Sequence, residues 1–393
     1  MSTNKRVKER SSTEREKMMP FQLRRLGILM EADARNAQES GGVLNPGGAR
    51  GPDGQFYLFP RLVAAGNFSR IGFARVRFND DGDPTRVERL GIALEPEAEY
   101  ELRPDGGGCE DPRITFVDEL DRYVMSYTAF GPTGPRIALA ISKDLFHWKR
   151  LGLATFRECD GMECEVDDFT TIDNKDAVLF PAAIRGPTGE NDFAIIHRPL
   201  FPGTDADETA RDAQPRTVDV SKESIWISYT PSEPADQNQR CLCDFRSHHR
   251  LAFPVANWEH LKIGGGTPPF LTKHGWVVFY HGVCECEPRQ TKFDMPRLRY
   301  SAGVLVLAEK RPHFIRYRAN SPVLEPELPE EMSGAVANVV FPTAVDQRVD
   351  LGEPDRLDVY YGMADSRIGV ARTYVPEELP VEAHEQEQPS TKL

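Results

Sequence analysis

The chain has 393 residues, a formal net charge of -13 and 39% hydrophobic residues, which is enough apolar material for one large core or two to three ordinary ones and too much for a disordered chain. The acidic balance excludes non-specific nucleic-acid binding, which needs a basic field to displace counterions from the phosphate backbone. Any anionic ligand would have to meet a local cluster of positive charge.

In chain order, "MSTNKRVKERSSTEREKMM" is charged and lacks the apolar core of a secretory signal. No apolar run is long enough to span a bilayer, so the expected address is cytoplasmic, with no membrane partner. The next stretch, "PFQLRRLGILMEADARNAQ", places Phe21, Leu23, Leu26, Ile28 and Leu29 at helix-compatible spacing. This predicts an N-terminal helical extension over about 21–37, packed on the rest of the chain or on a second subunit of a homo-oligomer. The expected organisation is a charged segment and helix over 1–41, a β-rich domain over 42–375, and an acidic, proline-containing, flexible tail over 376–393.

Within 42–375 the sequence repeats itself. Runs rich in Val, Ile, Tyr and Phe recur as "QFYLFPRL", "RYVMSYTAF", "DFAIIHRP", "GWVVFYHGV" and "LDVYYGMAD", each a strand candidate. A second run follows each: "RIGFARV", "RIALAIS", "SIWISYT", "RYSAGVLVL" and "RIGVART". A further short strand and its loop precede most of them, as in "EDPRITFV", "KDAVLFPAAI", "GGTPPFLT" and "NVVFPTAV". Five such units predict an all-β fold, a five-bladed β-propeller. A β-sandwich with accidentally similar strands is the alternative. Residues 199–223 form a long polar insertion in the third unit.

Seven cysteines are an odd number, better suited to thiols in a reducing compartment than to a disulfide framework. Cys241 with Cys243 and Cys284 with Cys286 have C-x-C spacing near His248, His249 and His281. That spacing lacks the usual geometry of structural zinc, and no metal is expected.

In a propeller the loops entering the innermost strands converge on a central channel. Residues at the start of each unit can therefore meet: Asn45, Asp111, Lys175, Lys262 and Asn338, with His281 and Asp365 at the ends of later strands. One strong carboxylate candidate beside several cations suggests acid catalysis on a neutral substrate next to a bound anion. Other readings stand beside this one. Asp111 and Arg113 could be a turn-stabilising ion pair, Lys175 and Lys262 could be solvated, and His281 could be a satisfied core histidine.

The ordered set "GGGCEDPRIT", "YVMSYTAFGPTGPRIALAISKDLFHWKRLG", "NKDAVLFP", "IIHRP", "KIGGGTPP", "VFYHGV" and "NVVFPTAV" with "LDVYYGMADSRIGVA" resembles glycoside hydrolase family 130 from about Gly42 to Val375. The resemblance implies a five-bladed propeller and an inverting β-mannoside phosphorylase, with β-1,2 linkages favoured over β-1,4. It implies that Asp111 is the general acid, that Lys175, Lys262 and His281 bind phosphate, and that Asn45, Arg70, Glu110, Arg113, Phe341 and Asp365 meet the saccharide. Inorganic phosphate would be a co-substrate and no cofactor would be needed. Departures are Glu110, where some relatives carry an aromatic residue, and Ala182 and Ala183, where many carry a basic one. The alternatives are an inverting β-mannosidase, with Glu110 or Glu163 as base, and a non-catalytic propeller that binds a glycan or a protein.

Overall fold

The computed structural model describes residues 19–157, 168–201, 222–233, 238–286 and 297–380. The described chain is almost entirely strand, arranged as antiparallel meanders of four main strands each. An N-terminal strand, β1 (Arg24–Glu31), precedes the first meander. Module one is β2 (Gly42–Arg50), β3 (Phe56–Ala64), β4 (Phe68–Phe78) and β5 (Pro84–Leu94). Module two is β6 (Gly107–Val117), β7 (Arg122–Gly131), β8 (Gly134–Ser142) and β9 (Lys149–Leu153). The short β10 (Thr155–Phe156) leads to module three, which is β11 (Asp173–Leu179), β13 (Asn191–Leu200), β14 (Ile225–Pro231) and β15 (Asp244–Ala252), with the short β12 (Ile184–Arg185) beside β13. Module four is β16 (Lys262–Gly265), β18 (Gly275–Cys286), β19 (Arg297–Ala308) and β20 (Arg311–Arg318), with β17 (Phe270–Thr272) at the edge of β18. Module five is β21 (Val340–Gln347), β22 (Arg356–Met363) and β23 (Arg367–Tyr374), completed by β1 on β23.

The helix expected over about 21–37 is therefore a strand. Phe21 and Leu23 are buried but lie before the strand, within it Leu29 and Met30 are buried while Ile28 is exposed, and Gly27 at φ 140° breaks any helical run. The edge of β23 offers an unpaired row of backbone donors and acceptors, and pairing with it overrides the local apolar spacing. The single turn at Ala37–Glu39 is 3-10 helix. At the other end, residues just past β23 dock on module four: Lys273 Nζ lies 2.9 Å from Glu377 Oε2, and His274 donates to Pro376 O. Residues 381–393, most of the expected tail, lie outside the described residues, as does most of the 199–223 insertion.

The apolar cores lie between modules. One cluster joins modules one and two through Tyr57, Phe73, Met125 and Ala140. Others join two with three through Leu139, Phe193 and Phe245, three with four through Ile196, Trp258 and Leu305, and four with five through Phe279, Val304 and Val359. A further cluster joins five with one through Phe56, Leu58, Tyr360 and Val370. Burying each such large side chain stabilises by roughly 1.5–3 kcal/mol, so each module depends on its neighbours for its core.

Modules one to three also share a residue-level register. The last paired positions before the break in each first strand are Leu44 with Arg61, Glu110 with Thr128 and Lys175 with Arg198, whereas module five breaks after Pro342 with Tyr361 and β16 of module four pairs without a break as far as Gly265 with Tyr280. Modules one to three then bulge at Asn45, Asp111 and Asp176, whose φ values of 42°, 45° and 57° are left-handed. Asparagine and aspartate tolerate that region better than other side-chain-bearing residues.

In four modules a buried Glu is clasped by an arginine. Glu39 pairs with Arg89 at 2.8 Å, Glu101 with Arg150 at 2.9 Å, Glu259 with Arg318 at 2.6 Å and Glu331 with Arg25 at 2.8 Å. Tyr127, Tyr280 and Tyr361 donate to the last three of these carboxylates. Module three replaces the clasp with a neutral chain. Asn174 meets His197 Nδ1, His197 Nε2 meets Ser228 Oγ at 2.7 Å, Ser228 Oγ meets His248 Nδ1 at 2.8 Å, and His248 Nε2 donates to Arg157 O.

Candidate active site

The bulges of modules one to three set the geometry of a single polar cluster with two halves. In the acidic half, Asn45 Nδ2 donates to Asp111 Oδ1 at 3.0 Å. Arg61, reaching in from β3, spans both neighbouring carboxylates, with Nη1 3.3 Å from Asp111 Oδ1 and Nη2 2.7 Å from Glu110 Oε1. Arg61 Nε also bonds Ser69 Oγ. Asp365, in the left-handed turn between β22 and β23 at φ 48°, acts electrostatically on the same group.

Charge explains the protonation of this half. Burial pushes the Asp365 carboxyl up to about 6, and the neighbouring Asp111 charge adds to the rise against Arg61. Burial also raises Glu110; Arg61 and Lys175 pull it back while Asp111 pushes it further up. For Arg61, burial works downward and is outweighed by Glu110, Asp111 and Asp365, so its charge is secure. Glu110 and Asp365 thus both lean toward the protonated form, each raised by burial and by neighbouring negative charge and drawn back by Arg61 and Lys175.

The second half gathers cations around Asp176. Arg198 Nε donates to Asp176 Oδ2 at 2.6 Å, while Arg113 Nη2 lies 3.7 Å from Asp176 Oδ1 and His281 Nε2 lies 3.7 Å from Oδ2. Arg198 also pairs with Glu223, whose other oxygen is 3.6 Å from Lys262 Nζ. Burial alone would raise Asp176, but Arg198, then His281 and Arg113, hold it well below the usual carboxylate range. Burial drives His281 down to about 3 against the pull of Asp176, with Arg198, Arg113 and Lys262 adding to the fall. Its imidazole is therefore neutral at physiological pH.

Arg113 connects the halves. Its Nη1 donates to the backbone carbonyl of Asp111 at 2.6 Å and its Nε to Gly266 O at 3.2 Å. The ion pair raised above as the other reading of Asp111 and Arg113 is not the one formed: Arg61 holds the Asp111 carboxylate, and the Arg113 guanidinium faces Asp176. Phe341 brackets this junction, with Arg113 over its ring at 5.4 Å and the His281 ring at 4.4 Å.

Most of the residues expected from the sequence converge here, with two shifts. Lys175 is expected at the convergent position of module three, but the bulge places Asp176 there. The Lys175 ammonium lies 5.7 Å from the Phe130 ring centroid and influences Glu110 and Asp365 rather than the cations. Arg70 follows Ser69 on β4 and so faces the opposite side of the strand; its Nε is held by Glu95 Oε2 at 2.8 Å. Asn338, at φ 60°, accepts from Tyr300 N through its backbone carbonyl. Glu163 lies outside the described residues.

Arg61, Asp176, Arg198 and Glu223 do not stand out in the sequence. The signals are an arginine inside the apolar run "FPRL", the acid beside Lys175 in "NKDAV", and the arginine of "IIHRP". The glycines of "KIGGGTPP" gain a reason as well: a Cβ at Gly264 would collide with Asp176 Oδ2, His281 Cε1 and Arg198 Nε.

A family model for glycoside hydrolase family 130, described as beta-1,4-mannooligosaccharide phosphorylase, matches residues 12–381. The chain is 30% identical to a 1,2-beta-oligomannan phosphorylase of Thermoanaerobacter sp. (strain X514) over 86% of this chain and 92% of that one. It is 31% identical to a beta-1,2-mannobiose phosphorylase of the same strain over 77% and 76% of the two chains. Among solved structures, the beta-1,2-mannobiose phosphorylase of Listeria innocua, seen with beta-1,2-mannobiose, shares the fold with a TM-score of 0.61 at 21% identity, covering 88% of this chain and 96% of that one.

Proposed function

Because the chain belongs to glycoside hydrolase family 130, we propose that it is an inverting β-mannoside phosphorylase built as a five-bladed β-propeller. A β-mannosyl saccharide and inorganic phosphate would give α-mannose 1-phosphate and a shortened saccharide. The observation that carries this reading is the cluster of Arg113, Arg198, Lys262 and His281, joined to Asp111 through one guanidinium. A phosphate oxygen needs such charged and bidentate donors in a protein whose overall charge repels anions.

In the proposed step, a phosphate oxygen forms a bond to the anomeric carbon while the bond from that carbon to the glycosidic oxygen breaks. Asp111 gives its proton to the leaving oxygen, directly or through a substrate hydroxyl, and the configuration inverts. Its neighbours support this role, since burial and the Asp111 charge push Glu110 and Asp365 toward the protonated form beside it. Asn45 and Arg61 would orient Asp111, and Asp365 and Glu110 would accept from sugar hydroxyls. On this reading no metal or organic cofactor takes part.

A β-1,2 linkage is favoured over β-1,4, supported by the names of the two relatives near 30% identity, against the β-1,4 description of the family model. We further propose a cytoplasmic location, supported by the free thiols among the described cysteines. The test is product analysis with β-1,2- and β-1,4-mannobiose, each with and without inorganic phosphate. Mannose 1-phosphate formed only with phosphate is the expected result, and phosphate-independent release of mannose would overturn it.

A further inference from the structure

We infer that Asp176 is a positioning residue for phosphate: its carboxylate fixes Arg113, Arg198 and His281, contributed by three different modules, in the arrangement that receives the anion. The inference rests on the phosphorolysis reading above and goes beyond it by assigning a role to an acid inside an anion site.

A carboxylate beside a phosphate is at first sight unfavourable, because it repels the ligand. Here it is buried, and guanidiniums from β6 and β13 and the neutral imidazole from β18 meet its two oxygens. With Glu223 included, Arg113, Arg198 and Lys262 face two carboxylates, so the cluster keeps a net positive charge while its guanidiniums are held at fixed angles. Two nitrogens in it, the donor Arg113 Nη2 and the His281 Nδ1, are buried without a hydrogen-bond partner among the described residues. Such groups are costly unless a ligand satisfies them.

The backbone is committed to the same end. Asp176 adopts φ 57°, and Gly264 leaves the space its carboxylate and His281 occupy. Preorganised donors bind an anion better than mobile ones because their ordering cost is met in folding.

Asp176→Asn separates positioning from simple field effects, because the two make predictions of opposite sign. Removing a negative charge from an anion site should tighten phosphate if charge alone matters. Loss of positioning should weaken it. We expect the phosphate KM in phosphorolysis, and the Kd for inorganic phosphate by calorimetry without sugar, to rise about tenfold or more, with the mannobiose KM changed less than about twofold. Unchanged or tighter phosphate binding, or an equal rise in both KM values, overturns the inference. If Asp176→Asn does not fold, Asp176→Glu keeps the charge and moves the carboxylate by one methylene, and the same selective loss is expected; its absence overturns the inference. A wild-type protein that turns over mannobiose without phosphate would instead remove the phosphorolysis reading, whatever the variants do.

Discussion

Modules two and three place an aspartate at the same bulge, with similar left-handed backbones, and give the two residues opposite surroundings. Asp111 sits among carboxylates with Arg61 as its guanidinium partner, and its neighbours Glu110 and Asp365 are pushed toward the protonated form. Asp176 sits among cations and is held ionised. The backbone repeat delivers a side chain to the polar cluster, and the residues that face it decide whether it handles a proton or a counter-charge. The same two modules also differ in a second buried polar group, where Glu101, Arg150 and Tyr127 form a charged clasp and His197, Ser228 and His248 form a neutral one.

The comparison breaks most visibly at the first aspartate. Asp111→Asn keeps the shape and removes the proton, so phosphorolysis should fall at least about 100-fold, the lower end of general acid catalysis. Thermal stability should move little, because the Asn45 and Arg61 contacts can persist. Near-normal turnover would show that the acid is elsewhere in the carboxylate group, with Asp365 the next residue to replace.

These two buried groups give the second contrast. Glu101 is buried, and its oxygens accept from Arg150, Tyr127 and two backbone N–H groups. Glu101→Ala leaves those donors unpaired and should cost about 3 kcal/mol or more, read from urea unfolding. Ser228→Ala, in the neutral chain, breaks two hydrogen bonds and should cost about 1–3 kcal/mol. Equal costs would mean that the charged clasp has no advantage over the neutral one.

Much of the module pattern is legible in the sequence, because a repeated strand texture is a local property. Asp111, Asn45, Lys262 and His281 stand out for the same reason: each is a polar residue at a unit boundary or at the end of an apolar run. What stays hidden depends on distant partners. The stretch around Leu26 looks helical by spacing, and only the free edge of β23, at the other end of the chain, makes it a strand. Lys175 and Asp176 are adjacent, and the bulge that selects the second is a backbone event with no composition signal. Arg61 and Arg198 sit inside strands whose apolar neighbours dominate the pattern, so their charge points to no site.

Lys262 tests the cation half with a smaller expected effect. Its ammonium is partly exposed and is tied to Glu223 at 3.6 Å, a looser hold than that of Arg198 on Asp176. Lys262→Ala should raise the phosphate KM roughly tenfold, the scale of one charge-assisted contact, with little change in the mannobiose KM. A matched rise in both would place Lys262 outside the anion site.

The smallest effect is expected from pH, and it separates the modules by stability rather than by activity. Burial pushes His197 well below its usual value, with His248 adding to the fall, and takes His248 to about 4 despite its bond to the Arg157 carbonyl. Both are neutral in the fold and would titrate near 6.5 when unfolded. Below that pH the unfolded chain binds more protons, so their contribution to stability is intact above about 6.5 and declines as pH falls toward 4. Asp365, raised to about 6, works the other way, losing stability as pH rises from about 4 to 6; global unfolding would blend the two. Amide exchange corrected for its intrinsic pH dependence resolves them: β13 to β15 should lose protection between pH 6.5 and 5 before β6 to β8 do. His248→Gln should flatten that difference, since a glutamine keeps a donor and an acceptor but cannot take up the proton. Parallel loss of protection in both modules would mean that the histidine chain and the charged clasp respond to acid alike.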